Sequence, residues 1–134
     1  MEDEKVAVAT IGNDVYRTEL KARKHRVIAD EPEDVGGKDL GPRPGDFYRM
    51  SLASCTAITL RMYANRKNFE VKQIQVTVST EEGVGKTILH TNIEISGTLD
   101  ETQRQRMLQI AKLCPVHKVL TNPIEIETTL TTLN

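Results

Sequence analysis

The pattern of apolar and polar positions predicts one long and largely apolar helix, over residues 46–65. No charged residue falls between Arg49 and Arg61, and apolar side chains recur on several sides of a helical projection. A helix that is apolar on nearly every side belongs in the interior of a structure. The preceding Gly-Pro-Arg-Pro-Gly at 41–45 ends earlier structure, and Asp46 suits the N-cap or the first turn. We expect the rest of the chain to cover this central helix.

Alternation typical of strands occurs on both sides of the central helix. The turn sequence Gly-Asn-Asp separates the first two alternating segments, which predicts a hairpin. A second hairpin is expected later in the chain, with a glycine-containing loop from Glu81 to Lys86. The predicted strands are residues 6–11, 15–22, 27–29 (as an extension or a restart of the second strand), 74–78, 88–95 and 124–130.

Two further helices are predicted near the C-terminus. Asp100 followed by Gln103 is a capping-box pattern, and it starts a helix whose apolar stripe ends at Cys114. Pro115 cannot continue that helix comfortably, but it can open a short new helix through Leu120. Because the strands come as hairpins with helices between them, the sequence predicts an α+β fold with a mainly antiparallel sheet.

The remaining residues leave the central helix incompletely covered. A sheet can cover one side of it, and few large side chains are left for the other sides. We therefore expect an obligate homodimer in which the central helices lie between the sheets of both subunits. The long connection at 30–45, rich in Pro, Gly and acids, does not support a helix or a strand. It is either a solvated connector or a functional loop.

Length and charge narrow the possible classes of protein. A chain of 134 residues predicts a single domain, residues 1–134. Its 18 basic and 19 acidic residues nearly cancel, so neither nucleic acid nor a membrane is an expected partner. The N-terminal apolar run is too short for a signal peptide, and no stretch approaches the length of a transmembrane helix. We expect a cytoplasmic location.

The two cysteines are the candidate chemical groups. In a reducing cytoplasm, Cys55 and Cys114 are inert core residues, metal ligands or redox-active thiols rather than a permanent bridge. His117 and His25 could complete a zinc site with them. The chain lacks the Cys-x-x-Cys and His-x-x-x-His spacings that would strengthen that alternative, so no metal and no bound cofactor are expected.

Two cysteine-containing segments form a recognisable pattern together with the stretch before the first of them. The two cysteine-containing segments are residues 41–67 (GPRPGDFYRMSLASCTAITLRMYANRK) and residues 99–120 (LDETQRQRMLQIAKLCPVHKVL). The stretch before the first segment contributes HRVIADEP and GGKDLGP. This pattern resembles the OsmC/Ohr family of thiol-dependent hydroperoxide reductases, in its OsmC-like branch. The resemblance implies the family's intertwined dimer, with an active site at the dimer interface.

The resemblance also implies roles for individual residues. Cys55 would be the peroxidatic thiol and Cys114 the resolving thiol. The family usually has a Glu shortly before the first cysteine, paired with an Arg that activates the thiolate, and here Asp46 offers the acid. Candidates for the arginine are Arg17, Arg23 and Arg26.

The implied reaction starts with attack of a Cys55 thiolate on the O–O bond of an organic hydroperoxide. The products are an alcohol and a sulfenic acid, which Cys114 converts to a disulfide. An external dithiol then reduces that disulfide, and the activity would serve oxidative stress defence. The alternative is a non-catalytic dimeric binding protein of the same fold, holding an apolar ligand at the interface.

Overall fold

The computed structural model describes residues 5–132, so residues 1–4 of the N-terminal segment lie outside the described part. The chain forms two compact units, one up to Met50 and one from Ser51 onward. The elements in chain order are β1 (Val8–Ile11), β2 (Thr18–Ala22), β3 (His25–Ala29), a 3₁₀ turn (Glu33–Val35), α1 (Pro44–Lys67), β4 (Glu70–Gly83), β5 (Lys86–Thr98), α2 (Glu101–Ala111) and α3 (Pro115–Leu120). The predicted α+β class with antiparallel sheets is confirmed.

The first unit carries a three-stranded antiparallel sheet in the order β1-β2-β3. β2 begins at Thr18 rather than at residue 15, because Val15 has a φ of 48° and the Arg17 N–H donates to the Asp14 carbonyl at 3.0 Å. The turn therefore takes the first residues of the predicted strand. β3 is a restart, since the chain reverses at Arg23, whose φ is 55°.

The connection from residue 30 to residue 45 is organised by a buried carboxylate. Asp30 is only 2% exposed, and its two oxygens accept the N–H groups of Glu31 at 2.7 Å and Leu40 at 3.1 Å. Its own N–H donates to the Pro42 carbonyl at 3.1 Å. These bonds hold both ends of the loop together, and Glu33–Val35 forms a 3₁₀ turn that the composition did not predict.

The second unit is built on the β4–β5 hairpin. The ladder runs from Glu70 opposite Thr98 to Gly83 opposite Lys86. The prediction of a loop from Glu81 to Lys86 was therefore wrong in length. The reversal needs positive φ only at Gly85, where φ is 71°, so the flanking residues continue the ladder.

The core of the second unit lies between α1, α2 and one face of this hairpin. Because strand side chains alternate between faces, Ile93 and Ile95 lie on the same face of β5, and both pack inward. The buried members are Leu60, Tyr63, Ala64, Met107, Ile110 and Ala111, with Phe69, Val71, Ile74, Ile93, Ile95 and Leu99 packed against them.

The predicted start of α2 and the predicted bounds of α3 are confirmed, but α2 ends at Ala111 rather than at Cys114. Asp100 accepts the Gln103 N–H at 2.7 Å, and the Gln103 side chain accepts the Asp100 N–H at 3.0 Å, which is a complete capping box. α3 spans Pro115–Leu120, and Cys114 is its N-cap. None of the helices in the described residues is long and apolar enough to cross a membrane.

Helix α1 is only partly covered within the single chain. It runs from Pro44 to Lys67, and its buried positions are Leu52, Thr56, Leu60, Tyr63 and Ala64, which share one face. Ile58 and Met62 are 55% and 68% exposed. The described residues therefore bury one face of α1, which agrees with the expectation that a single chain leaves this helix incompletely covered.

The predicted final strand at 124–130 was wrong. Residues 123–132 have no regular secondary structure, and the apolar side chains Ile124, Ile126 and Leu130 are exposed. Alternation shows that a segment can serve as a strand, but a strand also needs a neighbouring backbone with free N–H and C=O groups. No described strand of this chain pairs with the segment.

Candidate active site

The two cysteines meet in the second unit. Cys55 lies in the middle of α1, Cys114 caps α3, and the Cys55 thiol donates a hydrogen bond to the Cys114 sulfur. Both thiols are free, so no disulfide joins them. Cys55 is partly exposed, whereas Cys114 is completely buried. Cys55 is therefore the more accessible of the two residues in the single chain.

The antiparallel packing of α1 and α2 brings Cys114 next to Cys55. Towards the C-terminal end of α1, Tyr63 accepts a hydrogen bond from Arg106 Nε at 3.0 Å. Because the two helices run in opposite directions, the end of α2 lies beside the earlier turns of α1. The chain then turns through Lys112 and Leu113, and Cys114 arrives next to Cys55.

Cys114 is surrounded by donors that favour its thiolate. Burial raises the pKa of the Cys114 thiol, but hydrogen bonds from Cys55, the His117 N–H, the Thr56 hydroxyl and the Val116 N–H outweigh it, so its pKa is lowered. The His117 nitrogen lies 3.4 Å from the sulfur. Free N–H groups at the start of a helix are a known means of stabilising a thiolate.

For Cys55 the net effect is the opposite, because the pKa of its thiol is raised. Burial raises the pKa of its thiol, and the hydrogen bond it donates to Cys114 raises that pKa further. The Val116 N–H and the Thr59 hydroxyl act against these two effects without cancelling them. Within the pair, the local donors favour the thiolate form at Cys114 more than at Cys55.

Sequence reasoning identified both cysteines and the helix-capping position of Cys114, but it missed the donors around them. Thr59 lies one helical turn after Cys55, a spacing that offered a signal for its contact. Thr56 lies next to Cys55 in the sequence and is 2% exposed. The sequence carried no signal that the hydroxyl of Thr56 turns towards Cys114, because that contact joins α1 to α3.

Asp46 lies in the first unit, in the first turn of α1. Its carboxylate accepts from Arg49 Nη2 at 2.8 Å and from the Arg43 N–H at 2.9 Å. The hydrogen bond from Arg49 and then that from Arg43 hold the pKa of Asp46 below its ordinary value. Arg49 was not among the arginines considered from the sequence, although its i+3 position was a signal.

The three arginines proposed from the sequence have other local roles in the first unit. Arg26 pairs with Glu19 across the β2–β3 ladder. Arg23 occupies the hairpin turn, and the Arg17 backbone closes the turn before β2. The choice among them as an activating group stays a prediction.

A cavity of about 190 Å³ lies within the second unit beside α3. His117, whose N–H reaches Cys114, is part of its wall. The wall combines three leucines with hydroxyl groups and an imidazole, which suits a small ligand with an apolar part. The lining residues are Leu52, Thr87, Leu89, Thr91, His117, Leu120 and Thr121.

Metal-binding groups do not assemble within residues 5–132. In that part of the chain, no three side chains of His, Cys, Asp or Glu come together as a possible metal site. His90 instead pairs with Glu81 across the β4–β5 ladder at 2.6 Å.

Comparison with known sequences places the chain in context. The model of one protein family, described as "OsmC-like protein", matches residues 36–129 of this chain. This range contains Asp46 and both cysteines. A comparison with curated proteins found no match.

Solved structures share the fold at low sequence identity. An OsmC-like protein from Mycoplasma pneumoniae has a TM-score of 0.72 and 19% identity over 90% of this chain and 89% of that one. An organic hydroperoxide resistance protein OsmC from Legionella pneumophila has a TM-score of 0.60 and 20% identity over 87% and 88%. OhrB of Bacillus subtilis, an organic hydroperoxide resistance protein, has a TM-score of 0.57 and 18% identity over 87% and 89%. At these identities the likeness shows the fold alone.

Proposed function

The chain belongs to the OsmC/Ohr family, and from that premise we propose that it is a thiol-dependent peroxidase. It reduces organic hydroperoxides to alcohols and serves in oxidative stress defence. The observation that carries this proposal is the hydrogen bond between two free thiols, Cys55 and Cys114, from distant parts of the chain. A family relation to hydroperoxide resistance proteins supports the choice of substrate class.

In the proposed reaction, the more exposed sulfur acts first. The Cys55 thiolate attacks the O–O bond, giving Cys55 sulfenic acid and an alcohol. The Cys114 thiolate then displaces hydroxide from the sulfenic sulfur, which forms the Cys55–Cys114 disulfide and, after protonation, water. An external dithiol reduces this disulfide by exchange and restores both thiols. The Asp46–Arg49 pair supports the role of Asp46 as an acid that orients a guanidinium.

Mass spectrometry after a single equivalent of an organic hydroperoxide tests this function. We expect the wild-type protein to lose two hydrogens and to yield one peptide pair joined through Cys55 and Cys114. A protein in which both thiols stay unmodified would instead favour a non-catalytic binding protein. The cavity beside α3 is the observation that favours this alternative, since its leucines could hold an apolar ligand.

We further propose a cytoplasmic homodimer. The exposed apolar side chains Ile58 and Met62 on α1 support it, because a second copy could cover them. Sedimentation should find a dimer, and Met62→Asp should shift it towards monomer by placing a charge in the interface. Lys72→Asp, a charge change on β4, is the control and should sediment like the wild type. A wild-type protein that sediments as a stable monomer in dilute solution contradicts the dimer.

A further inference from the structure

A second cavity of the second unit lies between β5 and α2 and shares no lining residue with the cavity beside α3. Its volume is about 120 Å³. Ile93 and Ile95 of β5 form one wall, and Met107 and Leu108 of α2 form the other, together with Arg104. The lining is thus apolar except for one cation, and the proposed peroxidase reaction uses none of these residues.

The spacing of these residues in the sequence brings them to facing surfaces. Ile93 and Ile95 are two residues apart, so they project from the same face of their strand. Arg104, Met107 and Leu108 have the i, i+3, i+4 spacing that puts side chains on one side of a helix. Met107 is 2% exposed and Leu108 is 52% exposed, so the cavity extends from the core to the surface of α2.

The guanidinium of Arg104 has no partner in the described part of the chain. Within residues 5–132 it makes no hydrogen bond, ion pair or ring contact. Arg106, two residues further along α2, differs from it, since its nitrogens donate to the Tyr63 hydroxyl and to Gln109 Oε1, both at 3.0 Å. Arg104 is therefore a cation at an apolar cavity whose charge no described side chain compensates.

The acidic residues that precede Arg104 at the start of α2 have other partners. Glu101 is three residues earlier, a spacing that allows an ion pair, but its Oε1 accepts from Gln105 Nε2 at 2.9 Å. The Asp100 carboxylate accepts the Gln103 N–H at 2.7 Å as part of the cap. Because these carboxylates repel negative charge, Arg104 suits an anion with a single charge better than a dianion such as a phosphate monoester.

We propose that this cavity binds a small aliphatic monocarboxylate, with its chain between the two walls and its carboxylate on Arg104. The apolar walls favour an aliphatic chain, because the chain leaves water when it binds. The planar fork of a guanidinium matches a carboxylate and can donate two parallel hydrogen bonds to it. This site is additional to the proposed peroxidase function and does not depend on it.

The volume of the cavity limits the length of the chain. A water molecule takes about 30 Å³ in the liquid, so the cavity corresponds to roughly four such volumes. A methylene group is similar in size to a water molecule, so a chain of about four carbon atoms fits. Pentanoate, a carboxylate on a chain of this length, is therefore the probe, and a long fatty acyl chain is excluded.

The test is a titration of the full-length, nitrogen-15-labelled protein with pentanoate at neutral pH, followed by nuclear magnetic resonance. Saturable shifts are expected at the amides of the cavity residues, with a Kd in the millimolar range because the ligand is small. Acetate lacks the chain and pentan-1-ol lacks the charge, so each should bind at least about 10-fold more weakly. Shifts that do not saturate, or equal binding of all three compounds, would overturn the proposal.

Arg104→Gln tests the charged contact. It should weaken pentanoate binding by about 10-fold or more and leave the binding of pentan-1-ol unchanged, because only the contact with the carboxylate is lost. Lys112→Gln removes the same charge at the end of α2, outside the cavity, and should bind pentanoate like the wild type. Wild-type affinity for pentanoate in Arg104→Gln contradicts the assignment of the carboxylate to Arg104.

Leu108→Asp tests the apolar wall. The position is 52% exposed, so the fold should persist, as a circular dichroism spectrum will show. The new carboxylate repels the ligand and pairs with Arg104, so pentanoate should no longer produce saturable shifts. Saturable binding with wild-type affinity in this folded variant would place the ligand elsewhere and refute the proposed site.

The carboxyl end of a peptide with an aliphatic last residue presents the same two chemical groups. An acetylated tripeptide ending in leucine separates this occupant from a free carboxylate in the same titration. If the peptide shifts the amides of the cavity and pentanoate does not, the cavity recognises the end of another chain, and the proposal of a small carboxylate is wrong. Saturable binding of pentanoate supports the proposal whether or not the peptide also binds.

Discussion

Replacing Cys55 with serine should reduce hydroperoxide consumption to the background rate, a loss of about 1,000-fold or more. A serine hydroxyl stays protonated at neutral pH and is a far weaker nucleophile than a thiolate, so the first step has no attacking group. The measurement is consumption of an organic hydroperoxide with a dithiol as the reductant. The substitution changes one atom at a partly exposed position, so the fold should persist.

Two comparisons make this result specific. Thr102→Val, an exposed substitution on α2, should retain wild-type turnover. A circular dichroism spectrum that matches the wild type shows that Cys55→Ser is folded. Turnover that survives Cys55→Ser in a folded protein removes Cys55 from the mechanism and leaves the binding alternative.

Truncation of Leu60 to alanine should have the largest effect on stability, with a loss of about 2–5 kcal/mol in the free energy of unfolding. Leu60 projects from α1 into the core that α1 forms with α2 and the β4–β5 hairpin, and it is completely buried there. Its truncation therefore removes apolar contacts and leaves a cavity. Urea unfolding followed by circular dichroism measures the change. A lower midpoint with an unchanged slope would show a loss of stability without a change in the denatured state.

Leu108 offers a matched control on the same packed pair of helices. It is 52% exposed, so Leu108→Ala should change the free energy of unfolding by about 0.5 kcal/mol or less. Equal losses for the two leucines would contradict the position assigned to the core. The core also holds the antiparallel arrangement of α1 and α2 that brings Cys114 to Cys55, so Leu60→Ala should slow disulfide formation as well.

The local elements were predictable where a side chain acts on its own backbone. Asp100 and Gln103 start α2, and Pro115 starts α3, because caps and proline ring geometry act within one turn of chain. The sequence did not predict the turn at Val15, because valine rarely adopts a positive φ. It also did not predict that the β4–β5 ladder continues through Glu81, because glutamate is not typical of strands. The strand predicted at 124–130 failed because alternation does not supply a pairing partner.

The candidate site was predictable only where it depends on a motif or on neighbouring residues. The resemblance singled out both cysteines, and the Cys-Pro sequence placed Cys114 at the start of a helix. The meeting of the two cysteines and the contact of Thr56 with Cys114 depend on how α1 packs against the start of α3. The sequence analysis also missed the arginine that holds Asp46, which is Arg49, one turn further along the same helix.

By itself, the sequence determined the hairpins, the long apolar helix, the caps of the two shorter helices and the family, since each depends on neighbouring residues or on a motif. The tertiary structure decided that the two cysteines meet and which face of α1 is covered. It also decided that residues 124–130 pair with none of the described strands. Those outcomes depend on contacts between segments far apart in the chain. The pattern of one segment cannot specify the surroundings that another segment provides.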